Sequence, residues 1–241
     1  MISLRDPRAR PVVVTSVTLG LAVGVFSVLF GVGAVAAGAS IPQTCAMSLL
    51  VFTGASQFSA IAVVAGGGSF GSALGGALIL AARNGVFGLT MSRRLTGRLS
   101  TRLIAAQLTI DESTAMSTAQ DDPELQRAAF WITGVSIYVF WNLGTLVGAL
   151  AGNAIDPRRF GLDAAIPSAF VAVLWPNVRT RHGRQAMMLG ALLCVASTPF
   201  VPIGLPVLIA SLAILVALPA PGPNDHGEDG PSSPVAGELP A

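Results

Sequence analysis

Lysine is absent from this sequence: all 14 basic side chains are arginine. Charge of either sign is scarce, at 11% of 241 residues, where a soluble domain carries about 25%. Only two cysteines occur, Cys45 and Cys194, far apart and each in an apolar stretch. That excludes a disulfide framework and a thiolate metal site, and both cysteines read as packing residues. The two histidines offer no catalytic constellation. His182 lies beside Arg181 and Arg184, where an interfacial position is expected, and His226 lies in a polar tail. HExxH, GxSxG and P-loop motifs are missing, as are the spaced aspartates of a membrane phosphotransferase. Enzyme chemistry, a resident metal and a cofactor are therefore not expected. A net charge of +2, dispersed along the chain, does not suit nucleic acid.

What the chain has in abundance is apolar side chains, 52% of all residues. The class that fits is an all-α polytopic membrane protein, a bundle of transmembrane helices. Candidate spans are 12–37, 43–65, 69–92, 130–151, 162–177, 185–200 and 203–219, the last three short and interrupted by proline. Residues 1–11 form a basic cytoplasmic arm. The run from Val12 to Ala37 is longer than a cleavable signal core, so it reads as a retained first helix. Residues 220–241, rich in Pro, Gly, Ser and acid, read as a disordered tail.

Orientation carries a conflict. Arg5, Arg8 and Arg10 call for the cytoplasm, and so do Arg93, Arg94, Arg98 and Arg102. Three candidate spans separate these clusters, yet two clusters on one side need an even number of crossings. Either 43–65 or 69–92 is a broken or re-entrant element, or the N-terminus lies outside. The glycine run "AGGGSFGSALGG" at 65–76 favours a break, and broken backbone at membrane depth is tolerated only inside protein or beside a water-filled cavity. Six or seven crossings follow. Arg158 and Arg159 would then fall outside, against the rule, beside Asp156 and Asp163.

Small residues recur every four positions at Gly144, Gly148 and Gly152, at Gly67, Gly71 and Gly75, and at Gly20 and Gly24. Such stripes let helices approach closely, within the chain or against a second subunit. Trp131 and Trp175, near helix ends, suit an interfacial aromatic belt.

The polar residues inside the apolar runs need reasons. Arg83 precedes Arg93 by ten residues, about 15 Å along a helix and beyond the reach of a snorkelling side chain. It must face the protein interior, a cavity or an early helix end, either on a solute pathway or in a structural ion pair. Asn84 adds amide capacity beside it. Segment 103–118 reads as a helix at the membrane face or lining a polar cavity, and its Asp111 and Glu112 are the acids available to pair with Arg83 or to carry a coupling proton, unless they merely solvate an interfacial helix. Thr53, Ser56 and Gln57 share one helix face. They would bind a polar ligand or bond a neighbouring helix, and Asn142 in "WNLGTLVG" has the same two readings. Pro167 should kink its helix and free a carbonyl.

The stretch "MSLLVFTGASQFSAIAVVAGG" at 47–67 resembles the signature of the AzlC family, the large subunit of branched-chain amino acid permeases linked to azaleucine resistance. Further similarity lies in "ILAARNGVFGLTMSRRL" (79–95), "LTIDESTAM" (108–116), "FWNLGTLVGALAG" (140–152) and "GLDAAIPSAFVAVLWP" (161–176). The resemblance spans about residues 17–218. One departure stands at Ala82-Arg83-Asn84, where the family tends to Asn-Arg-His. The resemblance implies a multi-pass protein of the bacterial inner membrane. It would export branched-chain amino acids with a small hydrophobic AzlD-type partner, driven by an ion gradient. In that role Thr53, Ser56, Gln57, Arg83, Asn84 and Asn142 are the candidate substrate-binding residues, and Asp111 and Glu112 the candidate coupling-ion residues. A permease for another small amphipathic solute, a passive pore and a non-transporting scaffold subunit are the competing readings.

Overall fold

The computed structural model describes residues 6–154, 171, 178–202 and 205–213, and the regular structure among them is helical. In chain order the helices are α1 (Ala9–Ala36), α2 (Ile41–Val51), α3 (Gly54–Ala65), α4 (Phe70–Ser92), α5 (Leu99–Leu108), α6 (Asp111–Thr118), α7 (Pro123–Ala154), α8 (Arg181–Ser197) and α9 (Leu205–Ser211). The kink expected at Pro167, the span 162–177, Trp175, Arg158, Arg159 and the tail 220–241 lie outside the described residues.

Three of these helices, α1, α4 and α7, are long and apolar enough to cross a bilayer. Six or seven crossings are not obtained among the described residues. The expected span 43–65 divides into α2 and α3, of 11 and 12 residues. At 1.5 Å per residue each is about 17–18 Å long, short of a hydrocarbon core of about 30 Å. The span 185–200 falls in the 17-residue α8, and 203–219 is described only through α9.

The central contact is between α1 and α7. Gly20 and Gly24 of α1 lie against Ser136 and Phe140 of α7, while Gly148 and Gly152 of α7 lie against Val28 and Val32 of α1. The paired positions advance together, so the two helices run parallel. A Cβ on Gly144 or Gly148 would overlap the carbonyl oxygen of Gly24 or Val28, and one on Gly31 would overlap that of Thr145. The stripes at Gly20/Gly24 and Gly144/Gly148/Gly152 are thus used inside the chain, where close backbone approach provides the dispersion that lipid-like surroundings leave as the main attraction. Ser16 and Thr133 add a buried hydroxyl pair at 2.7 Å. The Arg8 guanidinium donates to Asp122 at 3.4 Å, joining the two helix starts. The third expected stripe does not form one. Gly67 occupies a left-handed turn (φ 81°) before α4, Gly71 meets little besides Ser69, and Gly75 meets Leu208 of α9.

α4 runs the other way. Arg127, near the start of α7, donates from Nε to the Arg94 carbonyl at 3.3 Å, so α4 finishes where α1 and α7 begin. That end of the bundle gathers Arg8, Arg10, Arg93, Arg94, Arg98 and Arg127, whereas the opposite connections, 37–40 and 66–69, carry no charge. α1 therefore delivers the chain to the opposite end and α4 leaves from it. The segment between them enters and returns at one end: α2 descends, the helix breaks at Phe52–Thr53, and α3 climbs back along α4, with Ser59 against Gly76. Of the two solutions to the orientation conflict this is the broken element, but its break lies at 52–53 and not in the glycine run. α5 and α6 repeat the pattern from the arginine-rich end and break at Thr109–Ile110. Leu108 packs on Gly134, 11 residues into α7 and about 16 Å from its start. Segment 103–118, expected as one helix at the membrane face or lining a polar cavity, is thus two helices that enter the bundle.

Replacing Gly148 by Ala should force α1 and α7 apart and lower stability by about 1–3 kcal/mol. Gly88→Ala, at a helical glycine with open space around its Cβ direction, should be neutral or gain up to about 1 kcal/mol. Thermal unfolding of the two purified variants in detergent compares them.

Candidate functional site

Both breaks leave backbone groups that need partners away from water. At the first, Phe52 adopts φ 24°, ψ 54°, the one positive φ outside glycine among the described residues. The strain persists because the ring is buried against Tyr138, with centroids 4.9 Å apart. The carbonyls at the end of α2 are taken up by side chains from other elements. Tyr138 donates to Leu49 O at 3.1 Å, and the Gln107 amide of α5 donates to Leu49 O and Leu50 O at 3.0 and 3.2 Å. At the second break Ser113 reaches back, accepting from the Ile110 N–H at 3.0 Å and donating to Leu108 O at 2.7 Å. Gln107 joins one interrupted segment to the other.

Between the breaks lies a cavity of about 380 Å³, a size that small-molecule sites occupy. Thr53, Gly54 and Ala55 present the start of α3 to it, and Ile110, Asp111 and Glu112 the start of α6. Thr53 makes no side-chain bond to the first amides of α3; its hydroxyl pairs with that of Ser56 at 3.1 Å. Helix starts carry the positive end of the backbone dipole and favour anionic groups. The rest of the wall is apolar, chiefly Val23, Phe26, Phe58, Ile137 and Trp141.

Arg83 and Asn84 of α4 complete the lining. Arg83 stands 13 residues from the start of α4 and 9 from its end, so it is near the middle of the helix. Its Nη1 meets Asp111 Oδ2 at 2.9 Å, and the two side chains are 46% and 43% exposed, which sets the pair at the cavity mouth. Among the two acids, Asp111 is the partner of Arg83; Glu112 follows it in the lining. The Asn84 Oδ1 atom is buried without a hydrogen-bond partner among the described residues.

The cavity thus unites Thr53, Arg83, Asn84, Asp111 and Glu112. The other three expected residues stand elsewhere. Ser56 lies behind Thr53. The fully buried Gln57 links Met47 O, through Nε2 at 3.0 Å, to the Trp141 indole N–H, which donates to Oε1 at 3.0 Å. Asn142 donates to Tyr138 O at 2.7 Å one turn back on α7, and its Oδ1 is buried and unpartnered. Sequence reading passed over Trp141 and Gln107. A tryptophan 18 residues into α7, too deep for an interfacial belt, was the available signal for the first. A single amide late in α5 was the signal for the second.

The sequence model of the AzlC protein family matches residues 18–155, which contain α7, all but the first nine residues of α1, both interrupted segments and every cavity residue. The chain belongs to the AzlC family. Among relatives, it is 29% identical over 175 residues to the inner membrane protein YgaZ of Escherichia coli, covering 68% of this chain and 71% of that one. It is 22% identical over 223 residues to the branched-chain amino acid transport protein AzlC of Bacillus subtilis, covering 89% and 84%. A membrane protein of Archaeoglobus fulgidus is 32% identical over 167 residues, covering 67% and 72%. No solved structure matches the chain. An AzlC-family membrane protein agrees with the three apolar helices of spanning length. The match ends one residue past α7.

The Gln57–Trp141 link positions the cavity wall from behind. Gln57→Leu strands the buried indole N–H, and Trp141→Phe strands the amide oxygen. Each should cost about 1–3 kcal/mol. Because they remove the same bond, the double variant should lose less than the sum of the two, as read by a thermal-unfolding double-mutant cycle.

Proposed function

We propose that this protein is the large subunit of a secondary transporter that exports branched-chain amino acids across a bacterial inner membrane. The observation that carries the reading is the ion pair Arg83–Asp111, held at mid-helix beside a cavity where two broken segments meet. Secondary transporters bind solutes at interrupted helices near the bilayer midplane, where half-helix starts attract a substrate carboxylate. Here Arg83 and the open amides of α3 would take the carboxylate. Asn84 and Thr53 would orient the backbone of the solute. Phe26, Phe58, Ile137 and Trp141 would receive a branched aliphatic side chain. Asp111 or Glu112 would balance the ammonium group or carry the coupling proton. Ser56, Gln57 and Asn142 would support the wall behind. The name of the Bacillus subtilis relative supports the substrate class.

The arginine-rich end would face the cytoplasm by the positive-inside rule, which puts the N-terminus inside and the charge-free connections 37–40 and 66–69 outside, with Arg158 and Arg159 following the outer end of α7 in sequence, against the rule. Two re-entrant segments then approach the cavity from opposite sides. A small AzlD-type partner would cover α4, whose outward face carries Leu74, Leu78, Val86 and Leu89 exposed and has open space at Gly85 and Gly88. Such cover would also withdraw the half-exposed Arg83 and Asp111 from acyl chains, where an unshielded charge costs at least about 2.5 kcal/mol.

Vesicles holding this chain and its partner, loaded with labelled leucine and given an imposed ion gradient, should lose the label. Arg83→Gln should cut the flux more than about tenfold, a loss of about 1.4 kcal/mol, while the complex stays assembled. Absence of gradient-dependent flux for every amino acid tried would overturn the reading. For orientation, a chain with Cys45 and Cys194 replaced by Ser should be labelled from outside at Ala36→Cys and Ala65→Cys, and only from inside at Thr96→Cys. Membrane-impermeant maleimide on intact cells distinguishes them.

A further inference from the structure

We infer that the Arg83–Asp111 pair is an internal stand-in for the two charges of an α-amino acid, and that the cavity admits a zwitterion by exchanging partners with it while refusing the matching anion or cation. This rests on the transport reading above and specifies what its site recognises. The charge set in the cavity is small and complete among the described residues. α4 contributes Arg83, α6 contributes Asp111 and Glu112, and the stretches of α1, α3 and α7 that line it contribute no titratable group. At 2.9 Å the guanidinium and the carboxylate already satisfy one another.

A ligand carrying a carboxylate alone would capture Arg83 and leave Asp111 at the cavity mouth without its cation. A ligand carrying an ammonium alone would do the reverse to Arg83. Stranding one partner of a charge pair is strongly unfavourable where the bilayer or a covering partner holds it away from water. A zwitterion replaces both partners at once: its carboxylate meets Arg83 and the uncapped start of α3, and its ammonium meets Asp111. Asn84 adds a second, independent pointer. Its buried Oδ1 is an acceptor with no donor among the described residues, one residue from Arg83 and in the same wall, and an ammonium N–H supplies that donor. No net charge enters or leaves the cavity in this exchange.

Three probes with the same isobutyl group test the inference: L-leucine, 4-methyl-2-oxopentanoate, which lacks the ammonium, and 3-methylbutylamine, which lacks the carboxylate. Binding is measured by calorimetry on the purified full chain with its partner in lipid nanodiscs. The wild type should hold leucine at least tenfold tighter than either single-charge probe. Asp111→Asn frees Arg83 and should turn the preference toward the oxo acid by at least tenfold; Arg83→Gln frees Asp111 and should turn it toward the amine. Asp111→Glu should keep the preference for leucine. Should one charge-removing variant fail to assemble, the other tests the same exchange from its own side. Wild-type affinity for the oxo acid or amine within about threefold of leucine would overturn the inference and leave transport standing. So would assembled variants that lose leucine without gaining the single-charge probe. Failure of the wild type to bind leucine at all would instead overturn the transport reading itself.

Discussion

An interrupted helix in a water-poor interior must find partners for the peptide groups it exposes, and this requirement governs the arrangement around the cavity. Around the cavity the described residues break twice, at Phe52–Thr53 and at Thr109–Ile110, and meet the requirement in two ways. Carbonyls at the end of α2 receive side-chain donors from α5 and α7. Amides at the start of α3 receive no side chain and stay directed at the cavity. The acceptors are thus neutralised by protein and the donors kept for something else. That asymmetry makes the site attractive to an anionic group before Arg83 is considered.

The parallel pair of α1 and α7 gives the breaks a fixed frame. Glycine–backbone contact along the length of the pair leaves little freedom for sliding, and the aromatic group of Phe26, Phe30, Phe58 and Trp141 packs α3 against both helices. By comparison α4, which carries Arg83, touches mainly α3 and leaves much of its surface open. The rigid wall of the cavity is therefore apolar and the charged wall is the less supported one.

Much of this was legible in the sequence. The apolar runs gave the class, and "MSLLVFTGASQFSAIAVVAGG" pointed to the family that the 18–155 match establishes. Arg83 stood out because helical rise puts it about 15 Å from the cluster at Arg93, and Asp111 was one of two acids available to it. The incompatible arginine clusters called for either a broken element between them or an N-terminus outside. Its position was not legible. "LLVFTGAS" has neither proline nor a glycine run, and the conformation of Phe52 depends on Tyr138 and Gln107, 86 and 55 residues away. The glycines at 66–68 looked like a break but form a turn, since α3 ends at Ala65 and Gly67 takes the left-handed conformation that a tight reversal needs. Gln57 shows the complementary difficulty. Periodicity set it beside Thr53 and Ser56 but could not tell that its amide was already occupied by Met47 and Trp141.

The parallel pairing of α1 with α7 has a consequence for biosynthesis. The start of α7 lies 114 residues after that of α1, so at about 5–20 residues per second the ribosome needs about 6–23 s to deliver the partner. Throughout that interval the seam of α1, with Ser16, Gly20, Gly24 and Ser27, stands uncovered in the bilayer. The nascent chain must be sheltered by lipid, by the insertion machinery or by a transient neighbour until α7 arrives to displace it.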